Sequence, residues 1–542
     1  MSVIEETMLR AVLDDMHAGD IKGALGTIAR HDVGLRKGAW AKLLTFLVIL
    51  GPGLIVMVGD NDAGAFSTYT QAGQNYGTGL LWTLLLLVPV LYVNQEMVLR
   101  LGVVSGVGHA RLILERFGKF WGAFSVVDLF ILNALTIVTE FVGISLAMEY
   151  FGVPKILGVV AAALLVMIAV STGDFRRFER FSIALCAGSL LLVPLFAMVH
   201  APAGQSLHDI VVPGLPKGDL STIMLLIIGI VGTTIAPWQL FFQQSYVIDK
   251  RITSRFLNYE RWDLVLGIVF VTIGAIAMMS FSAATFIGHK EFGNFQDTGQ
   301  VAMATAKYFG RLPATLFTIA LIDACIIGAA AVGLSTAYAL GDVLSYRRSL
   351  HRKVSDAPQF YAVYIALIAA AAAIVLLPDA PLGLLTNAVQ VLAGVLLPSA
   401  TIFLLLLSND KAVLGPWANR HSTNVFTALV IAGLVILSVI LIASMIFPNF
   451  GSVQILWTLG IGAALAISAA IWAAITQSEQ SSSSADRAAR ETWQMPPLDT
   501  LAKMTLTPMT RLWLIALRGY LFLAAGLVIV RVVQIALNHG SL

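Results

Sequence analysis

Residues 59–64 read Gly59-Asp60-Asn61-Asp62-Ala63-Gly64, and they interrupt an apolar run that extends over 43–66. Two carboxylates, an amide and two glycines sit where a bilayer-crossing helix wants hydrocarbon. Asp and Asn compete for backbone hydrogen bonds and Gly weakens a helix, so the segment is expected to unwind. Irregular backbone at that depth is tolerated only where it lines a cavity or lies buried in protein. The surrounding composition makes the bilayer reading compelling. Of 542 residues, 58% are hydrophobic and only 12% charged, about half the charge of a soluble chain. That balance excludes a cytosolic enzyme, a nucleic-acid binder and a disordered chain. Long unbroken apolar runs, rather than short alternating ones, exclude a transmembrane barrel.

Runs long enough to cross a bilayer fall at 43–66, 79–100, 120–150, 155–172, 181–200, 220–246, 264–288, 313–344, 358–377, 383–408, 423–447, 453–476 and 511–537, about thirteen helices. The expected organisation is a cytoplasmic N-terminal segment (1–42), two five-helix halves (43–200 and 220–408), two further helices (423–476), a Ser-rich linker (477–510) and a last helix (511–542). The N-terminal segment reads as short amphipathic helices. Basic residues follow the even-numbered spans: Arg100 and Arg111, then Arg176 and Arg177, Lys250 and Arg251, and Arg347 and Arg348. The intervening 67–78 stretch, read as a loop, has none. By the positive-inside rule the N-terminus is cytoplasmic. Compact loops suggest a bacterial inner membrane. Cys186 and Cys325 lie far apart in apolar runs and read as buried free thiols. The first 42 residues lack the apolar core of a cleavable signal peptide.

Other polar residues break lipid logic, and each is a functional candidate. Gly232-Thr233-Thr234-Ile235-Ala236-Pro237-Trp238-Gln239 carries a proline that frees carbonyls one turn earlier. It lies five spans after the first break. Broken helices at matching positions of two inverted halves mark a transporter site. Glu140 lies deep in the third span, Asp323 in the eighth and Gln390 in the tenth. Oxygen ligands of this kind suit a hard or borderline divalent cation.

Gly51-Pro52-Gly53, Asp62-Ala63-Gly64-Ala65, Ala72-Gly73, Tyr76-Gly77 and Leu80-Leu81-Trp82 resemble the first two helices of the NRAMP family of divalent-metal transporters. The resemblance covers roughly 43–408. It implies an all-α polytopic membrane protein with a LeuT-type fold: two inverted five-helix repeats with about three helices after them. Mapped onto the family's Asp-Pro-Gly-Asn motif, Asp62 holds the aspartate, Ala63 replaces the proline, Gly64 is kept and Ala65 replaces the ligating asparagine. Of the family's Met-Pro-His motif, Ala236 replaces the methionine, Pro237 is kept and Trp238 replaces the histidine. The resemblance further assigns the carbonyl donor to Thr233 and the helix-10 glutamine to Gln390. Of the helix-3 Asp-x-x-Glu pair, Ile137 and Glu140 stand here, so only the glutamate survives.

These departures carry chemistry. A thioether favours transition metals, and Ala236 removes it. Asp60 and Asn61 return oxygens one helical turn earlier. A wider, oxygen-rich site lets the ion keep water, which suits Mg²⁺. The missing methionine resembles the NRAMP-related magnesium transporter branch. The expected function is alternating-access transport of partly hydrated Mg²⁺ or Mn²⁺ into the cytoplasm, weakly or not coupled to protons. Asp62, Asp60, Asn61, Thr233, Ala236, Gln390 and Glu140 form the expected ion site. The transported cation and the bilayer are the expected partners, with no resident cofactor. Alternatives are a proton-coupled Mn²⁺/Fe²⁺ symporter, a Na⁺-coupled organic-solute symporter gated by Trp238 and Phe241, and a non-transporting metal sensor signalling through its tails. No phosphate loop, nucleophile–base pair or redox motif supports an enzyme.

Overall fold

The structure, a computed structural model, describes residues 14–476 apart from 33, 35, 202, 378–381, 448 and 449, together with 490, 493–501 and the isolated positions 504, 514, 515, 519 and 526. The expected linker and thirteenth span fall almost entirely outside the described residues. The first span comprises α1 (Ala39–Ile49), α2 (Pro52–Val58) and α3 (Ala63–Tyr76). There follow α4 (Leu81–Ser105), the short α5 (His109–Phe117), α6 (Lys119–Tyr150), α7 (Lys155–Val170), and α8 (Phe175–Gly188) continued by α9 (Leu192–Met198). After α10 (Ala203–Val211), the second half runs α11 (Leu220–Thr234), α12 (Pro237–Asp249), α13 (Leu257–Phe286), the short α14 (Thr298–Phe309), α15 (Arg311–Leu344), α16 (Pro358–Val375) and α17 (Leu382–Ser408). α18 (His421–Ile446) and α19 (Ser452–Thr476) follow. In each half a short helix, α5 or α14, stands between the second and third spans. Among the described residues, ten helices are long and apolar enough to cross a membrane, and the bent pair α1–α2 makes an eleventh. α7 is shorter, at 16 residues.

Two expectations need correction. The stretch 67–78 is not a loop: most of it belongs to α3. Its Thr, Gln and Tyr residues lower the local hydropathy, yet Thr68, Tyr69, Thr70 and Gln74 are buried inside the bundle. The described part of the N-terminal segment does not form amphipathic helices. It holds a turn at Asp15–His17 and an antiparallel hairpin of β1 (Ile21–Gly23) and β2 (Gly26–Ile28), with Ile21 opposite Ile28. Gly23 and Gly26 flank the tight connection, and Ile21 and Ile28 bury against Val48, Ile49, Ile252 and Phe256.

α13 packs along both α2 and α3, α11 against α17, α6 against α15, and α4 against α12. The α11–α17 crossing is close enough for backbone contact. A Cβ added at Gly232 would lie 2.1 Å from the Gln390 carbonyl oxygen and 2.4 Å from the Gly394 nitrogen. Small residues let membrane helices approach in this way. Backbone cannot step aside as a side chain can. Gly232→Ala is therefore expected to destabilise the fold by about 1–3 kcal/mol, the usual cost of overpacking, read as a lower melting temperature in detergent. An unchanged melting temperature would contradict this packing.

α1 and α2 meet at a 54° bend. Its backbone is held by buried charges. Asp263 of α13 accepts from Gly53 N at 2.7 Å, Gly51 N at 3.2 Å and Leu54 N at 3.2 Å. Lys250 Nζ donates to the Leu50 carbonyl at 2.9 Å and sits 2.7 Å from Glu179 Oε1. Glu260, equally buried, has no hydrogen-bond partner at either carboxyl oxygen.

Candidate functional site

The first span loses its helix at residues 59–62. The last turn of α2 tightens, with Asp60 N bonded to the Met57 carbonyl and Asn61 N to that of Val58, and Asp62 then caps α3. Asp62 Oδ1 accepts from Ala65 N at 2.9 Å, and Glu140 Oε2 of α6 accepts from Ala63 N at 3.1 Å. Two carboxylates thus meet the electropositive end of one helix, where first-turn N–H groups lack internal partners. The Asp62 carboxyl and the Cys325 thiol lie near enough to Glu140 to interact with it electrostatically. Glu140 Oε1 has no donor.

Asp60 faces the other way round the break. Its Oδ1 accepts from Gln239 of α12, whose own carbonyl oxygen accepts from Gln95 Nε2 of α4 at 2.8 Å. Asp60 Oδ2 is unpartnered. Asn61 turns outward, its amide donating to the Val271 carbonyl at 3.2 Å and resting where Gly274 of α13 leaves room. Tyr69 of α3 lies 2.7 Å from Thr234 Oγ1 of α11. Because Thr234 donates to the Ile230 carbonyl, the Tyr69 hydroxyl is the donor in that pair.

The second break follows from Pro237, the first residue of α12. Proline has no N–H, so the Thr233 carbonyl loses its partner one turn later. Ala236 is extended and caps α12 without a side-chain bond. Trp238 turns its ring edge toward Gly59 and accepts at its carbonyl from Ser335 Oγ at 2.9 Å. The Gln390 amide lies directly over Gly64, where a Cβ would come within 1.8 Å of Nε2, and that nitrogen has no protein partner. The first break, the second break and α17 therefore converge. Asp323 does not join them: it packs over Gly188 of α8. Ile137, one turn before Glu140, is buried and apolar.

Asp60, Asp62 and Glu140 are 1%, 4% and 0% exposed, and among the described residues no Lys, Arg or His compensates them. Uncompensated negative charge in a dry interior attracts a cation. Among the described residues no group of three or more His, Cys, Asp or Glu side chains is arranged to hold a metal. Any ion held here draws on mixed oxygens: carboxylate, amide and freed carbonyl. No sulfur or imidazole projects from the second break. A crevice of about 90 Å³ between α3, α11 and α17 reaches Thr68, Gly229 and Asn387, one turn from Gly64, Gly232 and Gln390. Beyond Asp60, the amide contact of Gln239 with Gln95 follows, and Gln243 and Gln244 are buried further along α12, Gln244 bonding His109 at 2.8 Å.

Sequence reasoning assigned no role to Gln239, Gln95 or Tyr69. The signal for Gln239 was its place two residues after Pro237, on the first turn after the break. Gln95 and Tyr69 carried none, because each acts through a residue far away in the chain.

Comparison with known proteins supports the same class. A family model described as natural resistance-associated macrophage protein-like matches residues 53–444. A divalent metal cation transporter MntH of Ralstonia nicotianae is 30% identical over 411 residues, covering 71% of this chain and 87% of the relative. The MntH of Lacticaseibacillus casei is 27% identical over 432 residues, covering 75% and 90%. A crystal structure of the Eremococcus coleocola manganese transporter superposes with a TM-score of 0.64 at 22% identity, covering 82% of this chain and 97% of that one.

Proposed function

The chain belongs to the Nramp family and is a divalent metal cation transporter, and on that premise we propose that its cargo is partly hydrated Mg²⁺ or Mn²⁺. The carrying observation is the donor set at the two breaks. Asp60 and Asp62 are buried at the first break, Pro237 frees the Thr233 carbonyl at the second, the Gln390 amide lies over Gly64, and Ala236 stands where a thioether would otherwise select soft ions. Asp62 supplies the principal charge. Asp60 and Gln390 contact the ion directly or through its water. Asn61, turned to α13, shapes the break rather than binding. Glu140 compensates charge from behind Asp62 and orients shell water.

Transport proceeds by alternating access about these breaks. The crevice between α3, α11 and α17 leads in from one side, and the way out on the other follows the buried glutamines of α12. The N-terminus and the basic helix ends face the cytoplasm of a bacterial inner membrane. Inward flow is then driven by the ion gradient and the membrane potential, about 2.3 kcal/mol per charge per 100 mV and twice that for a divalent ion. Proton coupling is weak or absent, because Ile137 and Trp238 carry no titratable group.

The test is flux of Mg²⁺, Mn²⁺ and Ca²⁺ into proteoliposomes with lumenal pH recorded together. Mg²⁺ or Mn²⁺ uptake without acidification is expected. Acidification in step with Mn²⁺ would favour the proton-coupled reading, which the proximity of the buried Glu140 and Asp62 carboxyl groups supports. Ala236→Met is expected to shift competition about tenfold toward Mn²⁺ and Cd²⁺ over Mg²⁺, because a soft ligand is added. An unchanged order of competition would remove the thioether argument.

A further inference from the structure

On the basic side of the bundle, a cavity of about 350 Å³ opens between the end of α4, the start of α13, the start of α18 and Arg490. Among the described residues, Arg100, Arg261, Arg420 and Arg490 line it with a single carboxylate, Glu96. That carboxylate is fully used. Its Oε1 accepts from Arg261 at 2.6 Å and its Oε2 pairs with Arg100 at 3.2 Å. The other contacts are neutral: Arg100 donates to the Trp417 carbonyl and to Asn419, and Arg490 donates to the Pro416 carbonyl at 3.0 Å and stacks 5.2 Å from the Trp417 ring. Four positive charges against one negative leave the cavity three charges in surplus.

A second feature points the same way. α18, 26 residues long, begins at this cavity without a side-chain cap, and Thr423 of its first turn is part of the lining. Its unpaired N–H groups favour an anion. The position also identifies the source of that anion. Trp262, beside Arg261, is 67% exposed, as aromatic residues are at the headgroup level. Tyr92 and Val93 continue the lining along α4 toward Leu85 and Leu86, which are exposed at a seven-residue spacing on the same face.

We propose that this cavity binds the phosphate of an anionic phospholipid, with the acyl chains lying along α4. Nothing in ion transport itself calls for it. The test uses the full-length, delipidated protein and native mass spectrometry with added phosphatidylglycerol or phosphatidylcholine. Retention of phosphatidylglycerol in preference to phosphatidylcholine is expected. Arg420→Gln, at an exposed side chain, should weaken that retention about five-fold, the effect of one basic residue near an anionic headgroup. Arg420→Lys should restore it, and Arg177→Gln, a 73% exposed residue of the α8 start, should leave it unchanged. Equal retention of both lipids, or no loss in Arg420→Gln, would overturn the site. Thermal protection by inorganic phosphate equal to that by phosphatidylglycerol would overturn the lipid as its occupant.

Discussion

Asp62→Asn is expected to abolish divalent-cation uptake while leaving the protein folded. Asp62 has two jobs that this substitution separates. Its side chain caps α3 through Ala65 N, and it carries negative charge into the break. Asparagine is about as good a cap as aspartate, so the helix start survives. The charge does not. Removing one member of a buried ionic contact costs about 2–5 kcal/mol, so uptake should fall roughly a hundredfold or more. Asp62→Ala should lose the same flux and, in addition, about 1 kcal/mol of stability from the missing cap. The pair is measured as uptake in proteoliposomes alongside thermal unfolding in detergent. Wild-type uptake by Asp62→Asn would remove Asp62 from the ion path. A melting temperature that drops as far for Asn as for Ala would show that the cap depends on charge.

Lys250→Met should have the largest effect on stability. Its ammonium is wholly buried between Glu179 and the carbonyls that end α1, with Asp263 and Glu260 close by. Without it, three buried carboxylates face one another with no cation among them. Breaking a buried pair by removing one partner costs about 3–5 kcal/mol. The expected result is a large fall in melting temperature and in the yield of monodisperse protein. Lys250→Met/Glu179→Gln, which removes both charges, should recover part of the loss. Failure of the double substitution to recover any of it would mean that Lys250 acts through packing rather than charge. The bend it holds joins directly to α2, which ends at Val58 just before the break that holds Asp60, so surviving protein is also expected to transport with altered rates.

The two breaks were legible because their causes are local. Proline lacks a donor wherever it stands, and Gly-Asp-Asn-Asp competes with a helix in any fold. The helical count was legible from hydropathy for the same reason, up to residue 476. Local hydropathy failed at α3. There polar residues face the bundle interior, so a stretch of low hydropathy reads as a loop where a helix stands. It failed again in the N-terminal segment, where the hairpin is held by Val48, Ile252 and Phe256 from distant parts of the chain. Lys250 read as one more basic residue at a helix exit, yet it is a buried structural cation.

The class of the protein, its membrane habitat and the places where its helices open are written in short stretches of residue chemistry. Partnership is not. Whether Asn61 faces the ion or α13, whether Gln239 holds Asp60, and how closely Gln390 approaches Gly64 depend on contacts between segments up to 326 positions apart (Gly64 to Gln390). Backbone propensity acts over one helical turn. The solvation and pairing of a buried polar group depend on whichever residues the folded bundle brings within about 3 Å of it, the reach of a hydrogen bond.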